Sequence, residues 1–275
     1  MTVQYGPVLK TNYDWVLEND FLPRCREIGV STEPRGITSM WKEARVRVFE
    51  LIRGFPWLAI GLLGVEQRWY ASLDAGEPDW GVYDDDLYLA ETWACWVAYA
   101  KRYIKQLIAT GVADQLGEVN SVVDLGCGLG YSTAALKETW PDARVYGTNL
   151  LHTKQGRFSE NMGRDHDFVM LAASVPADVV FASEYFEHFQ APLEHLHEVV
   201  ERCQPTTMII ANSFETKAIG HFKEYSMDGV TLSGGQLVTK RFNDEVRSLG
   251  FKSVREDGFW NGRPTVWRRE SAGPN

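Results

Sequence analysis

The stretch VVDLGCGLGYSTAAL, Val122 to Leu136, decides the fold. Three glycines, Gly126, Gly128 and Gly130, fall at alternate positions after an apolar run that ends in Asp124. Without a Cβ, the backbone there turns sharply and lets a ligand approach closely. The turn then feeds a helix whose first amides are free donors. Such a turn suits a nucleoside or dinucleotide at the carboxyl end of a parallel strand. The spacing is GxGxG, which differs from the GxGxxG of dinucleotide binders.

Working outward, residues 116–275 alternate short apolar runs with helical patterns. Strands are expected at Ser121–Leu125, Arg144–Thr148, Phe168–Ala172, Val179–Ser183, Thr207–Ala211, Lys252–Glu256 and Thr265–Arg269. Helices are expected at Ser132–Thr139, Thr153–Asn161, Pro192–Cys203 and Phe242–Leu249. This alternation implies an α/β fold, a seven-stranded, mostly parallel, doubly wound sheet. The last two strands, joined through Asn261-Gly262, are open to antiparallel pairing. Residues 212–241 form a long, lid-like insertion. Residues 1–115 read as a helical, aromatic-rich N-terminal cap. Trp93, Val97, Ala100, Ile104 and Leu107 mark one helix face. Ser39–Ile52 carries a second helical pattern.

Composition narrows the function. The chain has 275 residues, 44% of them apolar, enough for a full core. Its net charge of −9 argues against a general nucleic-acid binder, which needs a basic surface. The four cysteines, Cys25, Cys95, Cys127 and Cys203, show no CxxC pattern and read as free thiols in a reducing cytoplasm. The start lacks the apolar core of a signal peptide. The apolar run Gly54–Val65 is too short to cross a bilayer.

The ordered series of motifs resembles the class I S-adenosylmethionine-dependent methyltransferases. D-x-G-x-G-x-G after a strand looks like their first motif. VYGTNLLHTKQ (Val145–Gln155) is similar to their second strand and cofactor loop. Asp178–Ile210 resembles their fourth strand, next helix and fifth strand, and Phe242–Asp257 their closing helix and strand. The resemblance implies S-adenosylmethionine as cofactor, held by Asp124, Gly126, Cys127, Gly128, Gly130, Asn149 and Leu150. Asn149 stands where most members carry a ribose-binding acid. No clear counterpart of the acid after the third strand appears in FVMLAASVPAD.

In EYFEHF, Glu184, Glu187 and His188 follow the fourth strand, where the family places substrate beside the methyl group. His188 is the expected general base, with Glu184 and Glu187 as positioning groups. E-x-x-E-H also resembles the metal site of small-RNA 3′-terminal 2′-O-methyltransferases. On that reading Glu184, Glu187, His188 and His221 hold Mg, Mn, Fe or Zn. The histidines of PLEHLHEVV, His195 and His197, are expected towards solvent or an edge. Residues 69–100 contain acids and no Lys or Arg. The acids either attract a cation or, for Asp84–Asp86, cap a helix. Trp57, Trp69, Trp80, Trp93 and Trp96 read as core or as a flat pocket wall, and Arg263 as a partner for an anionic group or a brace for the final turn. The expected function is methyl transfer to a small molecule. A metal-dependent variant and a catalytically degenerate binding subunit are the alternatives.

Overall fold

The computed structural model describes residues 5–11, 13–30, 56–254 and 264–269. The Ser39–Ile52 pattern, the Asn261-Gly262 turn and Arg263 lie outside the described residues, as does the side chain of Trp57.

Seven strands form one sheet. They are β1 (Ser121–Leu125), β2 (Arg144–Thr148), β3 (Val169–Leu171), β4 (Val179–Ser183), β5 (Thr207–Ala211), and, after a separate hairpin of β6 (Glu224–Met227) and β7 (Val230–Ser233), β8 (Phe251–Ser253) and β9 (Thr265–Arg269). The order is β3-β2-β1-β4-β5-β9-β8. The first five pair in parallel, and β9 runs antiparallel to both β5 and β8. The chain leaves β1 towards β2 and returns on the other side at β4, so a crevice opens above the β1–β4 carboxyl ends.

The sheet is buried on both faces, and its residues alternate between two cores with the two-residue period of a strand. Val122, Val179, Phe181, Ile209 and Val266 point to one core. Val123, Val180, Ala182, Met208, Ile210 and Trp267 point to the other.

Among the described residues, seven longer helices surround the sheet: α1 (Pro56–Asp74), α2 (Asp86–Cys95), α3 (Lys101–Ala109), α4 (Tyr131–Thr139), α5 (Lys154–His166), α6 (Pro192–Cys203) and α7 (Gln236–Ser248). Their ends follow local chemistry. The Thr153 hydroxyl accepts from Gly156 N–H to start α5. Pro192 opens α6, where a missing N–H costs nothing. Asp85 accepts from Leu87 N–H at the start of α2. Its neighbours act differently: Asp84 accepts from the Lys154 amide and Asp86 from its ammonium. Only one acid of the trio is a cap.

The π turn Trp96–Ala100 joins α2 to α3; of the expected face, Trp93, Ala100, Ile104 and Leu107 are buried and Val97 is partly buried against the same core. The insertion holds a feature that the alternation reading does not contain, the β6–β7 hairpin. Its turn is Asp228-Gly229, both at positive φ (52° and 75°), as a tight two-residue hairpin requires.

Candidate active site

The glycine turn follows β1 at the mouth of the crevice. Gly126, Gly128 and Gly130 all have left-handed φ, 59°, 57° and 87°. A Cβ at residue 128 would fall on the Thr92 methyl, and one at residue 126 on the Tyr185 ring. The turn is fastened from below. Gly126 N–H donates to Thr148 Oγ1, Cys127 N–H to Thr148 O, and Gly130 N–H to Cys127 O. Among the described residues, the amides of Gly128 and Leu129 have no protein acceptor.

Asp124 is buried and accepts from the hydroxyls of Ser132 (2.6 Å) and Thr133 (2.7 Å). Burial pushes its carboxyl up to about 7, and the two hydroxyls oppose that shift. Each such bond to a charged acceptor contributes about 1.5–3 kcal/mol, so Asp124 ties the turn to α4. Asn149 also serves the turn: its Nδ2 donates to Gly128 O at 2.6 Å, and its Oδ1 accepts from Leu150 N–H. Leu150 lines the cavity beside it. Cys127 is buried against Met170 Sδ, and burial pushes its thiol up.

Glu184 closes β4 with φ of 51°, unusual for a residue with a Cβ. Such backbone strain costs about 1–3 kcal/mol and clusters at functional sites. Glu184 N–H donates to Ala211 O, and the Tyr103 hydroxyl approaches its carboxylate at 3.5 Å. Glu187 is fully buried. Its Oε1 accepts from Ser213 N–H at 2.7 Å, while its Oε2 has no hydrogen-bond partner among the described residues. Burial and the adjacent Glu184 charge hold Glu187 well above the usual carboxylate range.

His188 Nδ1 lies 2.8 Å from the Tyr83 hydroxyl, and its ring meets His221 edge-on at 4.8 Å. Burial first, then His221, pushes His188 well below the usual histidine value. Gly220, at φ 85°, lets its loop close over this pair; a Cβ there would strike both Tyr83 Oη and His188 Nδ1. His221 Nδ1 donates to Thr216 O. Glu184, Glu187, His188 and His221 therefore do gather at one end of the crevice. Among the described residues, however, no group of three or more His, Cys, Asp or Glu is disposed to hold a metal ion.

Both ends open into one cavity of about 880 Å³. Trp80, Tyr83, Tyr88, Trp96 and Phe222 line it, whereas Trp69 and Trp93 are core. Trp80 stacks on Tyr83 at 18° and is half exposed.

Several lining residues lay outside the expected set. His195 turns inward: it stacks on Phe189 at 3.6 Å and meets the Tyr185 hydroxyl at 2.9 Å. His197 faces out, against Glu245. Tyr88, Glu91, Thr92, Cys95 and Tyr99 form a second stripe on α2 and the π turn, all facing the cavity. Their i, i+3, i+4, i+7, i+11 spacing is legible in the sequence beside the apolar face.

Comparison with known proteins identifies the family. A family model described as "Methyltransferase domain" matches residues 96–254. Trans-aconitate 2-methyltransferase from Azoarcus sp. is 32% identical over 94 residues, 33% of this chain and 37% of that protein. The matched part thus spans little more than a third of the curated relatives' length. Among solved structures, magnesium protoporphyrin IX methyltransferase from Synechocystis with bound S-adenosylhomocysteine is 16% identical, covering 62% and 83% of the two chains at a TM-score of 0.43. An O-methyltransferase family 2 protein from Planctomyces limnophilus in complex with apigenin is 13% identical, covering 67% and 60% at 0.48. Because the family model matches more than half of it, the chain belongs to the methyltransferase-domain family of the class I, S-adenosylmethionine-dependent kind.

Proposed function

We propose that this protein transfers a methyl group from S-adenosylmethionine to a small-molecule acceptor. The observation that carries the reading is the continuity of one cavity, from the Gly126–Gly130 turn to Glu184 and the Tyr83–His188 pair. Its volume lies within the roughly 300–1,000 Å³ of small-molecule sites.

The turn fits the cofactor. Two amides, of Gly128 and Leu129, stand ready to donate to a carboxylate, and a side chain at residue 128 would intrude on the space beside them. Asp124 and Asn149 act through the turn, the first by holding α4 and the second by holding the Gly128 carbonyl. When bound, the cofactor supplies an electrophilic methyl group on a sulfonium.

The chain's own part is alignment. Trp80, Tyr83, Tyr88 and Phe222 offer an apolar wall that orients a flat or compact acceptor. Glu184, fixed by its strained backbone, sets the polar edge. His188, the expected base, enters as the neutral partner of Tyr83. Its occupied Nδ1 and lowered basicity make it a weak proton sink. Helix α2 and the turns flanking it, from Pro78 to Ala100, serve as one wall, and the 212–241 segment, through Ser213 and Thr216–His221, as another. The cysteines are free, which fits a reducing cytoplasm. No described helix is long and apolar enough to cross a membrane.

The names of the relatives bring trans-aconitate forward as an acceptor to test. Isothermal titration with S-adenosylmethionine and S-adenosylhomocysteine tests the reading. One-site binding of both is expected, and failure of either to bind overturns it. Production of S-adenosylhomocysteine on adding an acceptor separates an enzyme from a degenerate binding subunit.

A further inference from the structure

The carboxylates and cations that line the cavity differ in burial. Among the described lining residues the carboxylates are Glu91, Asp124 and Glu184, and the cations are Arg202 and Lys217. Both cations are exposed. Asp124 is already bonded to two hydroxyls. Glu91 differs from it. It sits on the cavity stripe of α2, and its Oε2 is closed to solvent with no hydrogen-bond partner among the described residues. A buried carboxyl oxygen left so costs about 1–3 kcal/mol or more. Glu91 as a whole is only partly buried where it lines the cavity, so a turn of its carboxyl brings this oxygen to a donating ligand, which would remove that cost.

We propose that Glu91 receives the X–H group of the methyl acceptor and takes its proton during transfer, so that the acceptor is a hydroxyl or amine on an apolar body and not a polycarboxylate. This rests on the methyltransferase reading and deepens it. In the step, the acceptor's oxygen or nitrogen forms a bond to the methyl carbon. The carbon–sulfur bond breaks, and sulfur keeps the electron pair as a neutral thioether. The X–H proton passes to the Glu91 carboxylate, so the sulfonium and carboxylate charges disappear together. Glu91 then returns the proton to water after product leaves.

The surroundings suit this role. The groups that Glu91 acts on or feels are Glu66 from α1, Tyr83 from the preceding turn, and Tyr88 and Cys95 from its own helix. None is a cation. Burial, with Glu66 second, pushes the Glu91 carboxyl up to about 7, near the value at which a base works best at neutral pH. A polycarboxylate would add negative charge beside Glu91 and Glu184, with exposed Arg202 and Lys217 as the cations among the described lining residues to offset it.

The experiment loads the protein with S-adenosylhomocysteine and titrates it with a panel of simple phenols and aromatic amines, and with trans-aconitate, in wild type and Glu91→Gln. At least one phenol or amine is expected to bind more tightly than trans-aconitate, and Glu91→Gln to weaken it tenfold or more while S-adenosylhomocysteine affinity stays unchanged. With the bound compound as acceptor, kcat should fall about 10²–10⁴-fold in Glu91→Gln, and the acid limb of the wild-type pH profile near 7 should vanish. Should Glu91→Gln fail to fold, Glu91→Asp and the wild-type pH profile carry the test. Tighter binding of trans-aconitate than of every panel member, a panel that does not bind at all, or full turnover by Glu91→Gln would overturn the proposal while leaving cofactor binding intact. Loss of S-adenosylhomocysteine binding by wild type would instead remove the reading beneath it.

Discussion

At the glycine-turn end of the cavity the wall is backbone, and the polar side chains behind it are paired: Asp124 with two hydroxyls, Asn149 with Gly128 and Leu150. At the acceptor end the wall is side chains, and two shielded carboxyl oxygens, Glu91 Oε2 and Glu187 Oε2, have no hydrogen-bond partner among the described residues. The first end is a finished seat for a ligand that does not vary. The second carries a carboxyl, Glu91, whose unpartnered oxygen the acceptor proposed above would satisfy, while Glu187 lies behind the cavity lining. Stability and specificity are therefore concentrated at opposite ends of one cavity.

The largest expected effect breaks the seat. Gly128→Val forces a branched residue into left-handed backbone and onto the Thr92 methyl. S-adenosylhomocysteine affinity should fall at least 100-fold by calorimetry, about 2.7 kcal/mol or more, with the circular dichroism spectrum retained.

Next comes Gly220, whose loop closes over the Tyr83–His188 pair. Gly220→Ala places a Cβ against the Tyr83–His188 pair at φ 85°. Loss of about 1–3 kcal/mol of stability is expected from strain alone. Acceptor turnover should drop more than cofactor affinity, as read from parallel kinetics and calorimetry.

A subtler variant sharpens the comparison through pH. Glu187 titrates above its unfolded value, so in the folded state its ionisation opposes folding. That penalty is absent below the unfolded pKa and grows as pH rises through the folded one. Glu187→Gln keeps an acceptor for Ser213 N–H and removes the charge. Its melting temperature should exceed that of wild type at pH 8 and match it near pH 4. The same sign applies to Glu91→Gln, whose gain should appear between the unfolded carboxyl value and about pH 7.

The smallest effect belongs to Asn149→Asp. It replaces the donor on Gly128 O with a carboxylate facing that carbonyl. Cofactor affinity should weaken by about tenfold or less, since one neutral hydrogen bond is worth roughly 0.5–1.5 kcal/mol. Tighter binding would mean that residue 149 reaches the ribose directly.

The same contrast explains what the sequence disclosed. The strand positions and the glycine turn were legible because they rest on local rules: a two-residue alternation and a backbone that only glycine tolerates. Val122 and Val123 must face opposite cores whatever surrounds them. Strand and helix ends shifted by a few residues, as with α7 starting at Gln236, because capping at Gly235 is weaker information than periodicity. The Asp228-Gly229 hairpin was written in the chain but hidden inside a segment without strong alternation.

The acceptor end was less legible because its residues meet only in three dimensions. Tyr83 and His188 are 105 positions apart, and Trp69 Nε1 donates to His221 O across 152. Glu91 was visible only as one acid among several. The stripe from Tyr88 to Tyr99 would have singled it out, had the polar face of α2 been read beside the apolar one. His195 faces inward because Phe189 stacks on it, a contact that helical spacing alone does not reveal.

A crystal structure of the protein with S-adenosylhomocysteine would show whether the glycine turn seats the cofactor. The amino-acid tail of the ligand is expected on the Gly128 and Leu129 amides, with its sulfur turned towards Glu184 and the open space beneath α2. A ligand bound elsewhere, or one whose sulfur faces away from Glu184, would contradict it.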